Sequence, residues 1–156
     1  MDGQALAKTF EFSHMALTRN LEGVTHEESL RAPEPGGNAL NWVLGHILYH
    51  RNMVMNLLGQ PPVWDPDKAA RYARGSAPLA PGEDPQPFEE MRAELDKSQK
   101  PLVAALQAAT EEQLAAPAEN GKPLFERLTL LGFHEGYHGG QIGLLRRILG
   151  HPGAIQ

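Results

Sequence analysis

Seven of the thirteen prolines in this 156-residue chain fall between Gly59 and Pro87. Proline fixes φ and removes a backbone donor, so that segment cannot form continuous regular structure. The fold is therefore decided by the stretches on either side, and these have helical periodicity. From Gln4 to Glu22 the apolar residues Leu6, Phe10, Met15, Leu17 and Leu21 recur at helical spacing, and Gly23 supplies a stop. A connection with Pro33, Pro35, Gly36 and Gly37 follows, and Asn38 is the expected N-cap of a second helix over Ala39 to Leu58. That helix is apolar on most sides, with Asn41, Gly45, Asn52 and Asn56 forming one polar strip, so it should be largely buried. A third helix is predicted from Phe88 to Ala109, with Met91, Leu95, Leu102, Val103 and Leu106 inward and a kink or break near Lys100 because of Pro101. The fourth starts after Pro123 and runs to Leu149, before Gly150 and Pro152.

No strand pattern competes, so the expectation is an all-α, four-helix bundle in a single domain over 1–156, with a long Pro-rich crossover between helices two and three. Within the crossover, Asp67 to Ala73 could form a helical turn, and Trp64, Arg71, Tyr72 and Arg74 could lean over a pocket. A short internal repeat accompanies this plan. Glu28-Ser-Leu30-Arg-Ala-Pro33 after the first helix resembles Glu112-Gln-Leu114-Ala-Ala-Pro117 after the third, and each copy precedes a helix with a histidine pair.

The formal charge of -5, with no stripe of Lys and Arg, argues against nucleic acid as a partner. No apolar run approaches the roughly 20 residues that span a bilayer, and the first residues lack a signal-peptide profile, so the expected location is cytoplasmic. Cysteine is absent, which removes disulfides, thiolate metal sites and a Cys nucleophile together. Any metal must be held by His, Asp or Glu.

Four of the seven histidines form two pairs at i, i+4: His46 with His50 on the second helix, and His134 with His138 on the fourth. Imidazoles so spaced share one side of a helix and can share a divalent cation. His138 falls on the apolar stripe of Leu124, Leu128, Leu131, Ile142, Leu145 and Leu149, with His134 at its edge. His46 and His50 lie opposite the asparagine strip, hence toward the same interior. His134-Glu135-Gly-Tyr-His138 also fits HExxH, in which Glu acts as general base. The protease reading fails downstream, where only His151 follows, just past a Gly stop, and Gln141 and Leu144 occupy positions at which the extended motif needs Gly and His. A third ligand must come from upstream, and His46 and His50 are the candidates.

Asn41-Trp42-x-x-Gly45-His46-Ile47, and His134-x-x-x-His138-x-Gly140-Gln141 followed by Leu144-Leu145-Arg146-Arg147, resemble the DinB and YfiT-like superfamily of metal-dependent proteins. The resemblance covers nearly the whole chain, including the crossover and the Gly150-His-Pro-Gly end. It implies an up-down-down-up bundle in a bacterial protein, with one divalent metal held by His46, His134 and His138. His50 has no ligand counterpart in that pattern, although helical projection sets it nearer the middle of the apolar face than His46. Three neutral imidazoles with open positions suit zinc or nickel, with iron next, and such a site activates water or binds a thiolate. Gln141 is placed to hold that water or a substrate, while Tyr137 and Glu135 flank the pair and Glu135 could orient a ligand imidazole. Relatives include transferases and isomerases that use a low-molecular-weight thiol such as mycothiol or bacillithiol. The resemblance thus implies an enzyme, a thiol S-transferase acting on a small electrophilic substrate. The alternatives are a metal-dependent hydrolase of small esters or amides, or a metal-binding helical protein without turnover, associated with stress. A homodimer is a further expectation.

Overall fold

The structure is a computed structural model that describes residues 2–118 and 121–155. It is all-helical, with seven helices and no strand among the described residues: α1 (Gly3–Leu21), α2 (His26–Ser29), α3 (Leu40–Leu57), α4 (Pro66–Ala70), α5 (Phe88–Ala108), α6 (Glu111–Ala115) and α7 (Leu124–Ile148). The four long helices stand within a residue or two of their expected limits. The short ones occupy the connections, and α2 and α6 each overlap one copy of the internal repeat, with their capping boxes one residue out of register with it. Each is a single turn opened by a capping box, Thr25 with Glu28 and Thr110 with Gln113, in which side chain and backbone satisfy each other's orphan donors. No helix among the described residues is long and apolar enough to cross a membrane.

Three local expectations are corrected. α3 is capped at Ala39, without a side-chain cap bond, and not at Asn38. α5 continues through Pro101. The ring sits on the exposed side, and the carbonyl it leaves without a donor belongs to exposed Lys97, where water can serve. Met15 is 46% exposed, and Ser13 takes its place on the buried face of α1.

Each long helix packs against two others: α1 on α5 and α7, and α3 on α5 and α7. Thr9 and Phe10 lie against Gly132, Leu17 against Gly139, and Asn20 against Gly143. His14 reaches Asp96 at 3.5 Å, and Gln99 donates to the Phe10 carbonyl. At the far end, the Arg146 guanidinium gathers the carbonyls of Asn20, Glu22 and Pro152, tying the tail to the end of α1.

The apolar interior falls into two clusters. One centres on Leu17, Leu44, Leu48, Leu95 and Ile142; the other on Phe10, Val54, Leu102 and Leu128. Between them lies a hydrogen-bonded layer that takes one of its buried polar residues from each long helix: Ser13, Arg51, Ser98 and Glu135. Arg51 grips the Glu135 carboxylate through Nε at 2.9 Å and Nη2 at 2.7 Å, and its Nη1 donates to Ser98 Oγ at 2.6 Å and the Leu95 carbonyl at 3.1 Å. Ser13 donates to the same carboxylate at 2.6 Å. Both charges are out of water, so each depends on the other.

Removing one partner of a buried pair leaves an uncompensated charge, so Glu135→Ala is expected to lower unfolding free energy by about 3–5 kcal/mol. Replacing both, Arg51→Met with Glu135→Leu, should recover most of that loss. Urea denaturation of the three proteins checks this. Equal stability of Glu135→Ala and wild type would show that the layer does not act as one unit.

Candidate metal centre

The polar layer sets how α3 and α7 meet, and the histidine pairs flank it on both helices. Arg51 follows His50, and Glu135 follows His134. Pairing Arg51 with Glu135 brings the His50 and His134 rings to 3.9 Å and those of His46 and His138 to 4.9 Å between centroids. His46 is 4%, His50 9% and His138 9% exposed, and His134 is half-buried.

The proton positions follow from the partners. His46 Nδ1 stands 2.7 Å from the Tyr72 carbonyl, which can only accept, so Nδ1 carries the hydrogen and Nε2 keeps its lone pair. The Gln141 amide donates to the Tyr137 hydroxyl at 3.2 Å, which turns its oxygen toward His138 Nδ1 at 2.7 Å. His138 Nε2 is thereby left as an acceptor, 3.0 Å from His134 Nε2. His134 Nδ1 is buried with no hydrogen-bond partner among the described residues. His50 donates from Nδ1 to the His46 carbonyl at 2.9 Å, one turn back on its own helix.

Donor nitrogens of His46, His134 and His138 lie within 4.8 Å of one another, and this set could hold a metal ion. Nitrogens around a tetrahedral zinc at about 2.0–2.1 Å stand roughly 3.3 Å apart, and the His134–His138 pair, at 3.0 Å, stands close to that spacing. The donor set fits. Two ring nitrogens face each other and a third is orphaned, a shortage of partners that a cation relieves. His50 lies outside the convergent set and forms a wall beside it.

Burial holds all four imidazoles below their ordinary range. His134 is lowered to about 3, chiefly by burial and then by the neighbouring His50, His138 and His46. His50 is lowered to about 4, again chiefly by burial. His46 and His138 are lowered for the same first reason. At neutral pH the rings are uncharged, the state in which imidazole ligates.

The crossover holds the site from outside. Asn41, on the polar strip of α3, is fully buried and donates to the Gln86 carbonyl. Its oxygen accepts from the Tyr72 hydroxyl, and Asn52 binds the backbone of Val63 and Trp64. The strip is thus the seat of the crossover. Gly45 lets the Tyr72 ring rest on α3, since a methyl there would overlap the ring. Trp42 stacks on His46 at 4.7 Å. Of the residues expected over a pocket, Tyr72 and Trp64 are core instead, Arg71 pairs with Glu83, and Arg74 is exposed. Trp64 also borders a cavity of about 330 Å³ beside Asp65, Lys68 and Glu94, which none of the imidazoles lines.

The remaining site candidates divide. Gln141 serves His138. Tyr137 is 56% exposed and touches the site only through Gln141 and an edge contact with His138. The two Glu135 oxygens bond Arg51 and Ser13, not an imidazole. Sequence reasoning missed Arg51. Its signal was a charged side chain on the apolar stripe Leu44, Leu48, Arg51, Met55, at a position that requires a buried partner.

Residues 9–142 match the family profile of the DinB superfamily, and the chain belongs to that superfamily. No curated protein matches the chain. Among solved structures, a conserved protein from Enterococcus faecalis has a similar fold, with a TM-score of 0.73 over 96% of this chain and 98% of that one, at 18% identity.

Imidazoles that stay neutral when folded but take protons near pH 6.5 when unfolded make the unfolded chain bind more protons in acid. Stability of the metal-stripped protein is therefore expected to fall as pH drops from about 6.5 toward 4, as folded His50 and His134 resist protonation. His134→Ala should show a shallower fall in Tm between pH 7 and pH 5. An unchanged slope in that variant would mean that the buried rings are not the source.

Proposed function

We propose that this DinB-superfamily chain is a divalent-metal-dependent enzyme, a thiol S-transferase that joins a low-molecular-weight thiol to a small electrophile. The observation that carries the reading is the convergence of three uncharged imidazole donors from α3 and α7, two of them buried and one half-buried, with no carboxylate among them. Such a donor set suits zinc or nickel, with iron third. A bound ion would supply undiminished positive charge, which lowers the pKa of a thiol and favours its anion. Arg127, one helical face with His134 and two turns before it, adds to that field, since its charge reaches His50 and His134. With no cysteine in the chain, the sulfur arrives with the cosubstrate.

Hydrolysis of a small ester or amide is the second reading. It calls for a general base, and the HExxH arrangement would assign Glu135, whose carboxylate is committed to Arg51 and Ser13. That favours the thiol reading. We read the architecture as one domain, an up-down-down-up bundle of α1, α3, α5 and α7. The matched registers of α1 with α7, and the reversed order in which His46 and His50 meet His138 and His134, support it.

The protein is expected to hold close to one divalent ion per chain, and His138→Ala to abolish retention, by metal analysis after dialysis. His46→Ala should weaken affinity far more than His50→Ala; the reverse order would move the third ligand to His50. Gln141→Ala, which removes the acceptor fixing the His138 tautomer, should weaken it about 10- to 100-fold. With 1-chloro-2,4-dinitrobenzene as electrophile, turnover should require both the metal and added bacillithiol or mycothiol. Metal-dependent ester cleavage without thiol would establish the hydrolase instead, and full metal retention in His138→Ala would overturn both.

A further inference from the structure

Arg127 stands seven residues before His134, and Gln141 seven residues after it, so the three side chains fall on one edge of α7. That edge borders α3, where Met53 and Leu57 stand seven residues beyond His46 and His50 and continue their stripe. His50 meets His134 and His46 meets His138, so the two helices run in opposite senses. The same seven-residue step past the rings therefore brings Leu57 abreast of Arg127. Met53, Leu57 and Arg127 are all half-buried. The seam between α3 and α7 thus begins at the imidazoles, passes two apolar side chains and ends on a guanidinium, about 10.5 Å along the helix axis.

Among the described residues, Arg127 is the one Lys or Arg that is neither exposed nor held through its side chain by a hydrogen bond or ion pair. The other withdrawn cations are satisfied: Arg51 by Glu135, Arg71 by Glu83, Arg92 by Glu89, and Arg146 by backbone carbonyls. Arg127 is also the fourth residue of α7, where a cation works against the helix dipole. Its charge reaches the His50 and His134 rings and helps to hold both below their ordinary range, so those neutral rings offer it no counter-charge. Five donors, half withdrawn from water and bound to nothing, leave room for an anion.

We propose that Arg127 docks the carboxylate of a substrate whose other end reaches the imidazole cluster, so that the site selects carboxylate-bearing small molecules. The inference rests on the reading of that cluster as the reacting centre. The planar fork of arginine meets a carboxylate in two parallel hydrogen bonds, which fixes orientation as well as charge. Met53 and Leu57 line the seam between, so the linking atoms of the substrate are apolar. The carboxylate can belong to the thiol or to the electrophile, and the two are separable by experiment.

Calorimetric titration of the metal-loaded chain with 6-mercaptohexanoate and with its neutral counterpart 6-mercaptohexanol tests the thiol arm. The ratio of KM values for 4-chloro-3,5-dinitrobenzoate and its ethyl ester tests the electrophile arm. In at least one pair the carboxylate should be preferred about 10- to 100-fold, as charge-assisted hydrogen bonds supply. Arg127→Gln should abolish that preference with metal content and Tm unchanged, and Arg127→Lys should restore part of it. A preference in the first pair assigns the carboxylate to the thiol, and in the second to the electrophile. A third measurement needs no metal: in stripped protein, hexanoate but not hexanol should shift the Arg127 side-chain NMR signal. That shift in a chain that holds no ion would leave the docking intact and end the metal-enzyme reading. Metal retention with no carboxylate preference in either pair would overturn the docking alone, as would a preference that survives Arg127→Gln.

Discussion

The ion pair between Arg51 and Glu135 determines how the rest of the molecule is arranged. A guanidinium and a carboxylate withdrawn from water tolerate little misalignment, because the desolvation penalty is offset only when their hydrogen bonds are complete. Here they are completed by Ser13 and Ser98, one from each of the remaining long helices. A slip of α3 against α7 by one turn, about 5.4 Å, would break the pair and separate the imidazoles in the same movement. The apolar clusters on either side could accommodate several registers; the polar layer accommodates one. Its contribution is thus alignment more than net stability, and the imidazole cluster forms where that alignment puts it.

The crossover acts on the same cluster from the other direction. The Tyr72 carbonyl takes the Nδ1 proton of His46 and so directs the opposite nitrogen inward. Tyr72 itself is held by Asn41 and by the backbone of Gln86, and it comes close enough only because residue 45 is a glycine. The Pro-rich segment therefore orients one donor, much as Gln141 orients another from within α7.

Much of this was legible in the residues. The long helices announced themselves through spacing and stops, and both histidine pairs pointed inward because a helical projection suffices to show it. What escaped depended on tertiary partners. The asparagine strip reads only as a polar stripe on a largely buried helix until a segment with no periodicity of its own is laid over it. Pro101 reads as a break until the missing donor is seen to face water. Glu135 reads as part of HExxH, and only the unremarked Arg51, 84 residues earlier, explains why it turns the other way. Met15 fitted the apolar spacing of α1, yet Ser13 was needed inside for the carboxylate.

The division of the interior has a consequence for how the sequence can drift. Contacts that hold Phe10, Val54, Leu102 and Leu128 together are confined to one compartment, and the stretch from His46 toward Trp42 is packed in the other. Distant substitutions with no shared neighbours add independently. The compartment beyond the equator can thus be repacked, volume for volume, while the imidazole cluster stays insulated behind a wall of hydrogen bonds.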